Sequence, residues 1–210
     1  MKNERVEENL TRQLKNAIIL LICLCLLPLG GCASDREERR LESFRASLEG
    51  SAVTVAAEVT ARDGEDIDSF ELRCTETDGG CDVEVLAPDS VAGVRAHTRS
   101  DGVEMEFEDL ILPMPQDPDA VSPLLALPLV LSAARTGHLD LVWEEDGTVC
   151  QLIVRDGLAV RLYLNADNVP TAAEIDADGH TNVFCTITEW STEKSDANES
   201  NDPNVGGDSP

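Results

Sequence analysis

Aromatic side chains are scarce in this sequence, at 3% of 210 residues. Proteins that bind bases rely largely on stacking against aromatic rings, so such a chain offers little surface for bases or for sugars. Positive charge is also scarce, because 16 Lys and Arg stand against 41 Asp and Glu, for a formal net charge of −25. Nucleic-acid binding depends on cationic contacts to phosphate, so we expect no nucleic-acid partner.

Recognisable catalytic motifs are absent as well. The chain has no Gly-x-Ser-x-Gly elbow and no His-Glu-x-x-His pair, and His97, His138 and His180 stand singly, as surface histidines do. The stretch EIDADGHTN at 174–182 imitates the opening of a calcium loop but places Cys185 where a bidentate Glu is required. A hairpin turn explains that stretch better, and we expect a non-enzymatic protein with no metal and no cofactor.

No apolar run in the chain is long enough to span a bilayer. The longest, residues 17–30, would rise about 21 Å as a helix against a hydrocarbon core of about 30 Å. Basic residues precede this run at Lys2, Arg5, Arg12 and Lys15. The pattern is typical of a secretory signal peptide, which we place at residues 1–31.

Leu29-Gly30-Gly31-Cys32 closes this leader and resembles the bacterial lipobox. The resemblance implies that diacylglycerol is attached to the Cys32 thiol, that the leader is cut before it, and that fatty acid such as palmitate labels the protein. Two or more acyl chains hold a protein stably on a membrane. We therefore expect a lipid-anchored protein on the extracytoplasmic face of the cell membrane; the alternative is an uncleaved signal anchor with an incidental cysteine.

The remaining chain divides into three parts. Residues 32–50 hold the anchor cysteine and a helix with an apolar stripe of Leu41, Phe44 and Leu48. Residues 51–191 form the globular body, long enough for one domain. Residues 192–210 are polar and acidic, and we expect this tail to be disordered.

Asp-Gly pairs recur through the body and mark turns. Between them the residues alternate with period two, as in Val103, Met105 and Phe107 against the intervening glutamates. Asp-Gly flanked by alternating residues is a hairpin signal. The body is therefore predicted to be mainly β in an α+β fold, a twisted antiparallel sheet or half-barrel of nine to ten strands with the N-terminal helix and one internal helix. The six pairs are Asp63-Gly64, Asp78-Gly79, Asp101-Gly102, Asp146-Gly147, Asp156-Gly157 and Asp178-Gly179.

One apolar segment interrupts the strands. Residues 124–137, LLALPLVLSAARTG, follow a proline-rich stretch and are apolar on every side of a helix at their centre. A helix of that kind is buried or covers an apolar surface. We expect it to plug the open face of the sheet, with Pro128 kinking it or marking its start.

The order of these elements resembles the lipoprotein-carrier superfamily of LolA-like and LolB-like half-barrels, across about residues 36–191. The resemblance implies an incomplete barrel that receives acyl chains under a helical lid. The alternative, favoured for any single residue, is that the same side chains close a dry core. Our candidates for the cavity lining are Leu124, Leu125, Leu127, Leu129 and Leu131 on the helix, with Val103, Met105 and Phe107 on the sheet.

Four cysteines of the body, Cys74, Cys81, Cys150 and Cys185, are an even number in an exported domain. Their strand phases favour disulfides 74–81, as direct cross-strand neighbours, and 150–185. Buried free thiols are the alternative, and zinc is disfavoured because no Cys-x-x-Cys spacing is present.

Two functions fit these features. The first is a lipid-anchored binder of a lipid or acyl chain. The second is a regulatory lipoprotein that senses envelope stress by contacting another cell-envelope protein, without a small ligand. An apolar cavity beneath residues 122–137 would favour the first, and a closed core there the second.

Overall fold

The computed structural model describes residues 34–64, 66–114, 121–177 and 180–194. The predicted signal peptide and Cys32 lie outside the described residues, as does the tail from residue 195. Within the described part of the chain, neither helix combines the length and the apolar character that crossing a bilayer requires.

Two α-helices, a short 3₁₀ turn and eleven β-strands make up the described ranges. Their bounds are α1 Ser34–Leu48, β1 Ser51–Asp63, β2 Asp66–Thr77, β3 Gly80–Ala87, β4 Arg95–Arg99, β5 Gly102–Phe107, β6 Leu110–Pro113, the 3₁₀ turn Pro123–Leu125, α2 Ala126–Thr136, β7 His138–Glu144, β8 Thr148–Arg155, β9 Leu158–Leu164, β10 Pro170–Ala177 and β11 His180–Lys194.

All eleven strands belong to one open antiparallel sheet with the order β6-β5-β4-β3-β2-β1-β11-β10-β9-β8-β7. The prediction of a mainly β, antiparallel fold with an N-terminal and an internal helix is confirmed. Two meanders, β1–β6 and β7–β11, meet where β1 pairs with β11. The sheet therefore ends in two edge strands, β6 and β7.

The Asp-Gly pairs lie at turns, as predicted. Five of them separate successive strands, and Gly64 and Gly157 have φ of 63° and 75°, the left-handed region that glycine adopts without a Cβ clash. The sixth pair, at 178–179, lies outside the described residues. Its neighbours Ala177 and His180 pair with each other across β10 and β11, so the described residues of the stretch 174–182 belong to two antiparallel strands, as the predicted hairpin requires.

The core lies between one face of the sheet and the two helices. Leu41, Phe44 and Leu48 of α1 are buried, which confirms the predicted stripe, and Leu127 and Leu131 of α2 are buried with them. Buried side chains of α2 thus belong to the same core as those of α1 and the sheet. Pro128 lies in the first turn of α2, where its missing N–H costs no hydrogen bond.

Two arginines tie the helices together. Arg45 of α1 donates from Nε to the Ala134 carbonyl at 2.9 Å, close to the last turn of α2. Arg135 of α2 donates from Nη1 to the Leu48 carbonyl at 2.8 Å and from Nε to Glu76 Oε1 at 2.7 Å. At the C-terminal end of each helix, a backbone carbonyl therefore accepts a hydrogen bond from an arginine of the other helix.

The body reaches further than its predicted end at residue 191. β11 continues to Lys194 and pairs there with Ser51 at the start of β1. The polar composition of 192–194 hides this strand, because an exposed strand end can be stabilised by backbone pairing without apolar side chains.

Candidate ligand-binding face

Strands β4, β5 and β6 extend past the part of the sheet on which the helices pack. The main helix contacts are with β1–β3 and β7–β11. We call β4–β6 the wing.

One face of the wing is apolar. The register sets Met105 of β5 opposite Ala96 and Leu112, and sets Phe107 opposite Leu110. Ala96 in turn lies opposite Val83, a core residue, so this face continues the core side of the sheet. We define the wing face as the side chains of Val103, Met105, Phe107, Leu110 and Leu112.

Much of the wing face is exposed. Phe107 is 43% exposed, Leu110 56% and Leu112 42%, while Met105 is half-buried and Val103 is buried. Large contiguous exposed apolar patches on soluble domains commonly mark binding sites. The wing face is therefore the candidate site.

The predicted cavity residues separate into two groups. Leu127 and Leu131 are fully buried core residues, whereas Leu124, Leu125 and Leu129 are only partly buried. The 3₁₀ turn that carries Leu124 and Leu125 contacts β3, the neighbour of the wing. Val103, Met105 and Phe107 lie on the wing face itself.

Leu110 and Leu112 were missed by the sequence analysis. They belong to the run Leu110-Ile111-Leu112, in which every residue is apolar and no alternation separates the two faces. Ile111 lies opposite Glu106 on the polar face and is 59% exposed. Antiparallel pairing of β5 with β6 across the turn at Glu108 and Asp109 was the signal that would have assigned Leu110 and Leu112 to the same face as Phe107 and Met105.

The strand ends of the wing are acidic. Asp101 lies in the β4–β5 turn, and Glu108 and Asp109 form the β5–β6 turn, all three exposed. A polar cavity of about 600 Å³ opens at the first of these ends. It is lined by Arg99, Ser100, Asp101, Gly102, Val103, Glu104, Pro113 and Met114.

His97 is not the isolated surface histidine that the sequence indicated. It lies within β4 on the polar face of the wing, with Nδ1 2.9 Å from Asp82 Oδ1 and Nε2 2.9 Å from Glu106 Oε2. Hydrogen bonds to Asp82 and then to Glu106 raise the pKa of His97. Arg99 donates from Nη2 to the same Asp82 oxygen at 2.7 Å. This cluster joins β3, β4 and β5.

The predicted 150–185 disulfide is wrong. Cys185, Ala173, Leu162 and Cys150 lie in one row across β11, β10, β9 and β8. Three strand spacings of about 4.8 Å separate the two cysteines, against a limit of about 7 Å between bridged Cα atoms. Both thiols are free and buried, and burial raises the pKa of Cys150 to about 11 and that of Cys185 to about 12.

Cys74 and Cys81 are not the direct neighbours that the sequence predicted. The two-residue turn at Asp78-Gly79 sets Cys74 opposite Val83 and Cys81 opposite Glu76, so the two cysteines are diagonal. Both thiols are free. The adjacent Cys81 side chain raises the pKa of Cys74, and burial adds to that effect.

The sequence predicts no metal site. Across residues 34–64, 66–114, 121–177 and 180–194, no group of three or more His, Cys, Asp or Glu side chains is arranged to hold a metal ion. Glu174 and Asp176, which belong to the calcium-loop imitation, both accept hydrogen bonds from Arg161.

The structure is similar to several solved structures of bacterial proteins. A LolA superfamily protein from Nitrosomonas europaea is 12% identical, with a TM-score of 0.36 over 76% of this chain and 93% of that one. The lipoprotein LppX of Mycobacterium tuberculosis is 14% identical, with a TM-score of 0.39 over 74% and 93% of the two chains. An uncharacterized conserved protein of Thermus thermophilus is 16% identical, with a TM-score of 0.45 over 75% and 88%. No protein-family model and no curated protein matches the sequence.

Proposed function

We propose that this protein is a membrane-anchored extracytoplasmic lipoprotein that binds the acyl chain of a lipid or of another lipoprotein on its wing face, without catalysis. The observation that carries the proposal is the exposed apolar strip of Met105, Phe107, Leu110 and Leu112 on the core side of the sheet.

Burial of an acyl chain contributes about 0.8 kcal/mol per CH₂ removed from water. The wing face offers flexible aliphatic side chains and one aromatic ring, which suit an unbranched chain better than a planar ligand. The partly buried Leu124 and Leu125 belong to the 3₁₀ turn that contacts β3, the strand next to the wing. The bound chain thus lies beside the internal helix and not beneath it.

The anchor is the second part of the proposal. Cys32 would carry diacylglycerol and place α1 within a few residues of the bilayer surface. Metabolic labelling with a palmitate analogue tests this directly: we expect label on the native protein and none on Cys32→Ser. Absence of label from both would overturn the anchor.

A protein-binding function is the second candidate. The buried side chains of α2 favour it, because a closed core was the outcome expected of a lipoprotein that contacts another envelope protein. In the described sheet β6 is an edge strand, to which a strand of another protein could pair, although Pro113 removes one backbone donor there.

Native mass spectrometry separates the two. We expect the mature chain without its lipidated cysteine, residues 33–210, to carry a lipid-sized adduct after gentle extraction. The double variant Leu110→Asn/Leu112→Asn should lose that adduct. Ile111→Asn is the matched control, since it alters the same strand at similar exposure on the opposite face, and it should keep the adduct. A clean apo mass for the parent chain, together with lost co-purification of a protein in the double variant alone, would favour the protein contact.

A further inference from the structure

The wing face is bordered by negative charge at both strand ends. Asp101 follows β4 at one end, and Glu108 and Asp109 follow β5 at the other. From Val103 to Phe107 the apolar strip runs about 14 Å, so the head of a chain lying along it comes close to one of these turns.

No free cation of the wing balances these carboxylates. Within residues 95–114, all of which the structure describes, the basic side chains are Arg95, His97 and Arg99. They lie on the polar face, on the side opposite Ala96 and Val103. Each is paired with a carboxylate there: Arg95 with Glu84 at 3.7 Å, Arg99 with Asp82, and His97 with Asp82 and Glu106.

We infer that the wing selects amphiphiles whose head group is uncharged or cationic and discriminates against anionic heads such as free fatty acids. This inference rests on the proposed function and adds the ligand class. An anionic head at either end meets carboxylates that have no cationic partner among the described residues, within one Debye length, about 10 Å at 0.1 M salt, and no cation of the wing is free to bind it. An acyl chain in ester linkage, as in a glyceride or a lipoprotein, has no such charge next to the chain.

Chain-matched amphiphiles test this class. Residues 33–210, which contain the whole described sheet and both helices, would be titrated by calorimetry with dodecyltrimethylammonium, dodecyl maltoside and dodecanoate, each below its micelle concentration. We expect dodecanoate to bind more weakly than the other two, by at least about threefold in 20 mM salt. The gap should narrow in 500 mM salt, because screening weakens interactions between exposed charges.

Charge variants locate the effect. Asp101→Asn/Glu108→Gln/Asp109→Asn should bring dodecanoate to within about twofold of dodecyl maltoside. The control Glu145→Gln/Asp146→Asn/Asp167→Asn removes as much charge from turns outside the wing and should leave the ratio unchanged.

The outcomes are separable. Binding of none of the three amphiphiles contradicts the proposed function itself. Binding of dodecanoate as tight as that of the other two overturns only the ligand class, and so does an equal response of both charge variants, which would assign the preference to net charge.

Discussion

His97 joins two strands that do not touch each other: its Nδ1 contacts Asp82 on β3 and its Nε2 contacts Glu106 on β5, both at 2.9 Å. Ionised carboxylates only accept hydrogen bonds, so both bonds form together only when both ring nitrogens carry a proton. The geometry is therefore that of the imidazolium, held between two carboxylates.

Stability of the wing should vary with pH in a window set by this cluster. The pKa of His97 is raised in the folded protein. The stability that His97 contributes is therefore fully present below its ordinary pKa of 6.5 and is lost as pH rises through the higher folded pKa. For Asp82, burial raises the pKa, but hydrogen bonds from His97 and Arg99 outweigh it and the net pKa is lowered. Its contribution is present above 3.8 and is lost as pH falls through the lower folded pKa.

His97→Gln should remove the loss of stability that the wing shows as pH rises. Amide hydrogen exchange of β4 and β5, corrected for intrinsic rates, would be followed from pH 5 to 9. We expect protection in the parent chain to fall across the upper half of that range and to stay flat in His97→Gln. His138→Gln, at the exposed start of β7, is the control and should behave as the parent does. A parent profile that is flat with pH would contradict the imidazolium assignment.

The alternation of apolar and polar residues predicts which side chains face the core in much of the sheet, but not in every strand. Val160, Leu162 and Leu164 alternate inward as the sequence indicates, because one buried face enforces period two. In β7 the pattern fails: a bulge at Asp140 sets Leu139 opposite the buried Leu152 but Leu141 opposite Gln151, where it is 56% exposed. A bulge inserts one residue and reverses the facing of those beyond it.

The candidate site depends on long-range packing, which local patterns do not encode. Met105 and Val160 have the same alternation in sequence, yet a helix covers the strand of Val160, while Met105 lies beyond both helices. The same limit explains the cysteines. Cys150 and Cys185 both lie in the core, but strand phase does not give their separation, which depends on the strand order that sets β9 and β10 between β8 and β11.

Arg135 should contribute strongly to the stability of the fold, because its guanidinium group donates hydrogen bonds to three residues. It binds the carbonyls of Leu48 and Ser51 and the carboxylate of Glu76, which also accepts the Val53 N–H at 2.8 Å. Lys cannot reproduce this fork. We expect Arg135→Lys to lower the free energy of unfolding by about 1–3 kcal/mol, measured by urea denaturation.

Arg73→Lys is the matched control for Arg135→Lys. Arg73 pairs with Glu189 at 3.9 Å, with both side chains about half exposed. Such surface pairs contribute about 0–1 kcal/mol, so this variant should unfold close to the parent. Equal losses in the two variants would contradict a special role for Arg135.

The internal helix should contribute to stability through its buried leucines. Leu127→Ala removes a fully buried side chain and should cost about 2–5 kcal/mol in the free energy of unfolding. Leu129→Ala, on a half-buried position of the same helix, should cost clearly less. If Leu127→Ala proved as mild as Leu129→Ala, the space beneath α2 would be loosely filled and open to a ligand.

Cys150 and Cys185 should remain thiols when the protein is exposed to an oxidant. Two strands separate them, and burial raises the pKa of each, which keeps the reactive thiolate rare at neutral pH. After denaturation without reductant, iodoacetamide should label both residues, read by peptide mass spectrometry. Cys150→Ser should leave labelling of Cys185 unchanged. Protection of Cys185 that disappears in Cys150→Ser would show a bridge between them, and the β8-β9-β10-β11 order would then be wrong.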